Sequence, residues 1–526
     1  IEVRVGYRSG EGGAGLPPQI LVDVTTESVP AAAVATFLRR VEPGLRFRGV
    51  LSGQLLVVWD DERPEQPKLT LRGEVRGRQV SVLWPTISRD SLVLGDAVCP
   101  IDLSWSGGKI VSKATHLKCR MGEVSFTGEV DLRRDPLSVL QQSGVQFSCD
   151  VDLAMLSGWL SQPLQLRDDL RVTGGRLTAA VRSEPAADGS AWSGRLTASD
   201  LRADRLGQSI EWRQPIAIEF DARQAAHGLP RVDRFLARTD FGTVQAAGTE
   251  EELTAEGRLE LNLLFDRLRQ FANLAETLPG GSLSFRLGLT RERAGAFQLR
   301  GEGRLRDASY AALGQTWREP ELHLRVEGQG RIRTKHDRLE TGSVVLAAGG
   351  DTLSLQLIEP IADLWSPQAS TVQVSLRGDL GRWLSRFGSF VGGLREVKAG
   401  GIVEAGGKVR VGSGLIQADA VEAAVQNLRL AIGAWNIVEP NVRVRVQRLK
   451  WNRSESGQIL EVADASLTSP AMQAVFPTMR SEATGSSSWK HSGRGEIRGD
   501  LARLQRWLPA STDEPLAGTF DGIVQI

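Results

Sequence analysis

Gly499-Asp500-Leu501-Ala502-Arg503-Leu504-Gln505-Arg506-Trp507-Leu508, followed by Leu516-Ala517-Gly518-Thr519-Phe520-Asp521-Gly522-Ile523-Val524, is the stretch on which the fold turns. It reads as a short amphipathic helix headed by Asp-Leu, then a glycine and an alternating strand. The same phrase runs from Gly378-Asp379-Leu380 through Trp383-Leu384 to Gly400-Gly401-Ile402-Val403. Earlier versions begin at Asp152-Leu153 with Trp159-Leu160, and at Phe265-Asp266 with Leu268 and Phe271. A degraded one runs from Val22-Asp23-Val24 through Ala31 and Val41 to Gly49-Val50-Leu51-Ser52-Gly53. Asp152, Asp266, Asp379 and Asp500 are separated by 114, 113 and 121 residues. A period this long and regular means one supersecondary unit repeated.

A second phrase recurs at a different phase. It appears at Trp212 to Pro215-Ile216-Ala217-Ile218, at Trp317 to Pro320-Glu321-Leu322-His323-Leu324, and at Trp435 to Pro440-Asn441-Val442-Arg443-Val444. With Pro100-Ile101-Asp102-Leu103, the prolines lie 115, 105 and 120 residues apart. The expected organisation is a continuous array over 1–526, with units near 1–130, 131–245, 246–360, 361–480 and a partial 481–526. The chain has no starting Met and stops inside a repeat, which reads as an excerpt of something longer.

Period-two alternation dominates. Val442, Val444 and Val446 alternate with Arg443, Arg445 and Gln447, and Leu322, Leu324 and Val326 with His323, Arg325 and Glu327. Val372, Val374 and Leu376 follow the same rule, as do Leu259, Leu261 and Leu263. Such strands have one apolar and one wet face and suit antiparallel sheet. Helical spacing is confined to about 31–41, 153–160, 264–278, 380–390 and 501–508, with Asp152, Asp379 and Asp500 placed as N-caps. The expected fold is therefore all-β with a few short helices, an extended antiparallel array built from repeats of about 115 residues. One helix per repeat is too little to cover the apolar sheet face, so that face must meet another sheet, close on itself or line a groove.

Composition excludes several classes. The 64 basic and 63 acidic residues give a net charge of +1, with no basic stripe for nucleic acid. No window reaches the ~18 apolar residues of a membrane-spanning helix. Cys99, Cys119 and Cys149 are too few and too scattered for a disulfide scaffold or zinc site, and read as small apolar residues. His116, His227, His323, His336 and His491 are dispersed, and neither a nucleophile elbow nor a P-loop pattern is complete. Asp168-Asp169 and Glu250-Glu251-Glu252 read as solvated turns. No catalytic residue, metal ligand or cofactor is expected. Trp212, Trp317 and Trp435 read as packing residues, with sugar stacking as the alternative.

The phrases Gly378-Asp379-Leu380 and Gly499-Asp500-Leu501, each leading to a glycine and a strand, resemble the AsmA-like and TamB-like envelope proteins, architectural relatives of the bridge-like lipid-transfer proteins. Asp240-Phe241-Gly242-Thr243-Val244 with Gly257-Arg258-Leu259-Glu260-Leu261, and Cys119 to Val124 with Gly128 to Leu132, carry the same resemblance. It implies an elongated, curled antiparallel β-sheet groove that is apolar inside and polar outside, held in the periplasm by an inner-membrane anchor. It also implies a role in moving phospholipid between inner and outer membranes or in outer-membrane assembly, with outer-membrane proteins as possible partners. Acyl chains would slide along the apolar face without catalysis. By alternation, the candidate lining residues are Ile216, Ile218, Leu259, Leu261, Leu322, Leu324, Val372, Val374, Val442, Val444 and Val446. The competing expectation is a structural or adhesive β-solenoid whose core is sealed by its own side chains.

Overall fold

The computed structural model describes residues 2–8, 19–33, 44, 46–60, 68–83, 85, 91–106, 109–131, 144–160, 166–167, 169–187, 189–225, 231–249, 251–272, 274, 279–292, 295–312, 315–331, 338–362, 369–387, 397–412, 415–433, 435–454, 457–483, 490–507 and 516–525. The chain divides into two compact units, Ile1–Leu259 with Leu263–Ala275, and Glu260–Asn262 with Glu276–Ile526.

In the first unit the strands are β1 (Glu2–Arg8), β2 (Gln19–Pro30), β3 (Arg46–Asp60), β4 (Lys68–Leu83), β5 (Ser91–Ser106), β6 (Lys109–Cys119), β7 (Gly122–Asp131), β8 (Gln146–Asp152), β9 (Leu170–Ala186), β10 (Gly189–Arg205), β11 (Gln208–Trp212), β12 (Ile216–Ala225), β13 (Arg231–Thr239), β14 (Gly242–Gly248) and β15 (Glu252–Glu260). The second unit holds β16 (Gly280–Arg291), β17 (Ala296–Ala312), β18 (Gln315–Arg331), β19 (Arg338–Ala348), β20 (Asp351–Leu357), β21 (Ala369–Asp379), β22 (Lys398–Gly412), β23 (Leu415–Ile432), β24 (Trp435–Ser454), β25 (Gly457–Thr468), β26 (Met472–Ala483), β27 (Lys490–Asp500) and β28 (Thr519–Gln525).

Each unit is one antiparallel ladder in which a strand pairs with its neighbours in sequence. The variation is β10, which pairs with β9 on one side and with both β11 and β12 on the other. The break between β11 and β12 contains Pro215, which has no N–H for the ladder. Among the described residues no pairing joins the first strand of either ladder to its last, so neither sheet closes into a barrel. The all-β expectation with few helices holds.

Register turns the alternation into continuous rows. In the second unit one row passes through Phe285, Gly303, Leu324, Leu346, Leu353, Leu376, Ala405, Ala423, Val444, Leu467, Ala474, Ile497 and Gly522, crossing every strand without a polar side chain. In the first unit a row passes through Val3, Val24, Leu55, Gly73, Ile101, Thr115, Phe126, Phe147, Val181, Gly194, Phe220, Phe235, Ala246 and Ala255, broken in polarity only by Thr115. Directly opposed residues share a face, so each row is one line of apolar side chains across its sheet. Gly194 shows one use of the many glycines: a Cβ there would fall 2.5 Å from the Phe220 ring, which lies over the bare backbone.

Four non-glycine residues with left-handed backbone mark the repeat: Gln79 (φ 51°), Asp200 (φ 52°), Asp307 (φ 50°) and Asn427 (φ 53°), with separations of 121, 107 and 120 residues. Each coincides with a register shift against the preceding or following strand. A bulge adds one residue and so reverses the alternation that follows. Val80, Ala308 and Leu428, each next after its bulge, are returned to the dry face and buried.

The helices are α1 (Leu153–Leu160), α2 (Leu261–Phe271), α3 (Leu380–Phe387) and α4 (Leu501–Leu504), the last continued by a 3-10 turn over Gln505–Trp507. Each follows directly on a strand that ends in an acidic residue. Asp152 accepts from the Ala154 N–H at 2.7 Å, Asp379 from Arg382 at 2.9 Å, and Asp500 from Arg503 at 3.3 Å. Of the helix expected over 264–278, residues 264–271 are helical and 273 and 275–278 fall outside the described residues; its start is corrected, because the strand ends at Glu260 and the helix begins at Leu261, so Asp266 lies inside it and heads nothing. Leu261 is accordingly the first helical residue and not the continuation of an alternating strand. With Glu260 as the anchor, the strand-to-helix junctions lie 108, 119 and 121 residues apart, in step with the bulges. Of the helix expected over 31–41, residues 31–33 are helical and 34–41 fall outside the described residues.

Candidate functional site

The helices dock on the apolar face at the ends of the strands. Met155 and Leu156 of α1 pack on a cluster of Val80, Leu94, Met121 and Val151, joined by Cys119 and Cys149. Phe271, the last residue of α2, meets Trp212, whose ring also contacts Phe241. Under α3 the contact is ionic. Asp351, whose side chain is inaccessible, takes two hydrogen bonds of 2.7 Å from Arg382, one of 2.7 Å from Arg386 and one of 2.8 Å from the Asp379 N–H. Arg386 also bonds Glu319 at 3.0 Å and lies 4.7 Å over the Trp383 ring. Below the turn after α4, the Trp507 indole donates to Glu439 at 3.2 Å. Glu319 and Glu439 each precede the proline of the second phrase, so the two recurring phrases meet in space. The Arg382 guanidinium, the Asp379 amide and Arg386 hold the Asp351 carboxyl well below the usual carboxylate range.

Away from the helices, the described residues leave the apolar rows incompletely covered. Of the thirteen positions in the second-unit row only Ala474 is buried; Leu324 is 37% exposed and the others are half-buried. None of the first-unit row is buried, and Val3 and Phe147 are exposed. A second layer packed on this face would bury these side chains as completely as the helices bury Val80 or Leu428.

The residues chosen by alternation fall largely on these faces. Leu324 and Val444 stand in the row above; Val374 and Val446 stand one step along the strands from it, Val372 two steps, and Leu322 one step on the other side. Val442 stands beside Val425 and Val403 and is buried with Val403 at the helix end. In the first unit Ile218 pairs with Leu196 and Ala237, Ile216 with Ala198, and Leu259 with Gly242, all of one face. Leu261 is the departure, buried at the head of α2.

Charges occupy the opposite face and pair across strands. Arg195 and Arg234 share Glu219 at 2.9 and 3.1 Å, Arg377 meets Glu404 at 3.1 Å, and Arg445 meets Glu422 at 3.2 Å. Each is solvent-facing and contributes about 0–1 kcal/mol. Two open depressions lie over this charged face. One of about 730 Å3 includes Gln373, Ser375, Arg377 and Arg443, and one of about 600 Å3 includes Gln146, Ser148, Arg182 and Arg234.

Other candidates resolve simply. Trp212 is buried as a packing residue, whereas Trp435 is 49% exposed. His323 is exposed beside Glu321 at 3.3 Å. Asp169 is more than a solvated turn, since Arg167 and Arg205 hold it at 2.8 and 2.9 Å. Burial pushes the thiols of Cys99 and Cys149 up, away from reactivity. Among the described residues no group of His, Cys, Asp and Glu is arranged to hold a metal, and no helix is long and apolar enough to cross a membrane.

No protein-family model matches the chain, no curated protein matches its sequence and no solved structure matches its fold. The likeness to AsmA-like and TamB-like proteins rests on the quoted residues alone.

Proposed function

We propose that the protein is a non-enzymatic carrier of phospholipid acyl chains in the cell envelope. In this reading the chains lie on the open apolar face of each unit while headgroups stay in water. The protein works in the periplasm between inner and outer membranes, held by an inner-membrane anchor outside these residues, in the manner of the AsmA-like and TamB-like proteins. Outer-membrane proteins are the expected partners. The single observation that supports the reading is the pair of apolar rows that cross each sheet and remain half-buried. A sealed solenoid needs those rows covered.

Each buried methylene contributes about 0.8 kcal/mol, so a lipid with some thirty methylenes gains at most about 24 kcal/mol over bare water. A bilayer offers nearly the same. The face therefore lowers the desolvation barrier between membranes without driving the direction of travel, and no residue has to act as acid, base or nucleophile. Mass spectrometry of the purified chain tests the reading: phospholipid is expected to accompany the protein. A stably dispersed, lipid-free chain that takes up no lipid from vesicles would refute it.

A further inference from the structure

At the end of the first sheet away from α1, the apolar face finishes in an aromatic rim. One position inside the strand tips of β2 to β6, a single register row holds Ile20, Trp59, Leu69, Trp105 and Ile110. Behind it the next row holds Val5, Val22, Val57, Leu71 and Leu103. Ile20, Trp59 and Trp105 are 42%, 37% and 42% exposed, and Val5 is 70% exposed. Soluble surfaces rarely leave a contiguous apolar patch of this kind without a partner.

The tryptophans say which partner. Trp192 and Trp507 are buried and donate their indole N–H to Ser190 and Glu439. Trp59 and Trp105 have no protein acceptor among the described residues, and each presents a broad apolar ring with one unused donor. That combination suits the layer of a bilayer where hydrocarbon gives way to ester and phosphate oxygens. Charge of both signs flanks the rim: Lys68 and Lys109 begin their strands at the tips, and Lys109 bonds Glu129 at 2.7 Å. A rim of mixed sign complements headgroups that carry both an ammonium and a phosphate better than it complements a partner of one charge.

We infer that the rim formed by Ile20, Trp59, Leu69, Trp105 and Ile110 docks on the interfacial layer of a zwitterionic phospholipid bilayer. The docking deepens the lipid-carrier reading, because it sets the apolar rows of the same face against the membrane from which chains would enter. It is testable apart from that reading.

Flotation of the full 526-residue chain with vesicles of phosphatidylcholine and phosphatidylethanolamine measures docking, with brominated phosphatidylcholine as a quencher of tryptophan emission. The chain is expected to float and its emission to be quenched. The double variant Trp59→Ser, Trp105→Ser is expected to partition at least about tenfold more weakly, given the indole area withdrawn from water. Trp435→Ser, at an exposed tryptophan of the second unit, is expected to bind as the unaltered chain does. A chain that stays off vesicles, a double variant that binds undiminished, or an equal loss in Trp435→Ser overturns the inference. Should the double variant lose its β-sheet circular dichroism, quenching in the unaltered chain decides: unquenched emission overturns docking. Lipid-loaded protein that ignores vesicles sinks docking alone, and protein that floats but never carries lipid sinks the carrier reading alone.

Discussion

Placing a charge in the open part of the second-unit sheet separates a surface kept for guests from a core. Val374 stands between Leu355 and Gly407, and Val444 between Ala423 and Leu467; both valines are half-buried. Full burial of a valine stabilises by about 1.5–3 kcal/mol, so the half that is realised here amounts to about 1 kcal/mol. Loss of strand preference adds up to about 1 kcal/mol. Val374→Asp or Val444→Asp should therefore cost about 2 kcal/mol of folding stability, because the carboxylate can turn outward into water. Val403, only 6% exposed, offers no such exit, and Val403→Asp should exceed about 4 kcal/mol. The effect on lipid is reversed in size. A carboxylate facing acyl chain costs about 3 kcal/mol, or about a hundredfold in occupancy. Denaturant melts by circular dichroism and phospholipid per chain by mass spectrometry read the two quantities. Folded Val374→Asp and Val444→Asp chains with undiminished lipid would refute the carrier surface. Unfolding as complete as that of Val403→Asp would mark these valines as core.

Asp351→Asn breaks a buried ion-pair cluster and should cost about 3–5 kcal/mol, seen first as faster amide exchange over 380–387. Because the folded Asp351 is held below its usual range, its contribution is fully present above the unfolded value near pH 4 and is lost as pH falls further; stability of the α3 contact should be flat from pH 5 to 8 and should drop in stronger acid, a drop that Asp351→Asn lacks. Asp307→Val places a β-branched residue at φ 50° and should cost about 1–2 kcal/mol in denaturant melts, whereas Asp307→Gly should cost nothing; equal effects would mean the bulge is not held in that conformation. Stripping bound lipid with detergent should lower stability, by about 2.7 kcal/mol if lipid had stood at a hundred times its dissociation constant, and re-addition of phospholipid should restore it. An unchanged melting curve would mean that lipid does not bind the folded chain.

Strands were legible because alternation such as Val442 to Val446 depends only on which face a side chain meets, and that is local. The helices at 153–160, 380–387 and 501–507 were legible because a capping aspartate and an apolar stripe lie within a few residues of each other. The helix at 261–271 was misread for the same reason. Leu259, Leu261 and Leu263 continue the strand period across the junction, while the acid that ends the strand is Glu260 and not Asp266. Cross-strand rows were out of reach, since joining Leu324 to Val444 requires the register of every turn between them. The bulges were missed although Asp200, Asp307 and Asn427 recur at the repeat period, because an acid or amide inside a strand reads as one more wet-face residue. The acid before proline in Glu319-Pro320 and Glu439-Pro440 was a usable sign. In each case the glutamate, and not only the flanking tryptophan, receives the helix.

The two faces of each sheet do different work, and that difference explains why so few helices suffice. Ion pairs such as Arg377 with Glu404 and Arg445 with Glu422 are exposed and contribute little each, so they keep the wet face soluble and discourage strand slippage more than they stabilise the fold. Stability must then come from the apolar rows, where neighbours such as Leu353 and Leu376, or Val444 and Leu467, touch side to side along the ladder. Lateral contact buries the flanks of these side chains and leaves their outer ends bare. Folding thus gains part of the available hydrophobic free energy, and a further part remains for whatever lies across the face. The helices lie near the strand ends beyond the bulges, where Val80, Ala308 and Leu428 are buried. A chain built to seal its core would continue that cover inward along the rows; among the described residues Leu324 is exposed and Val374 and Val444 are only half-buried.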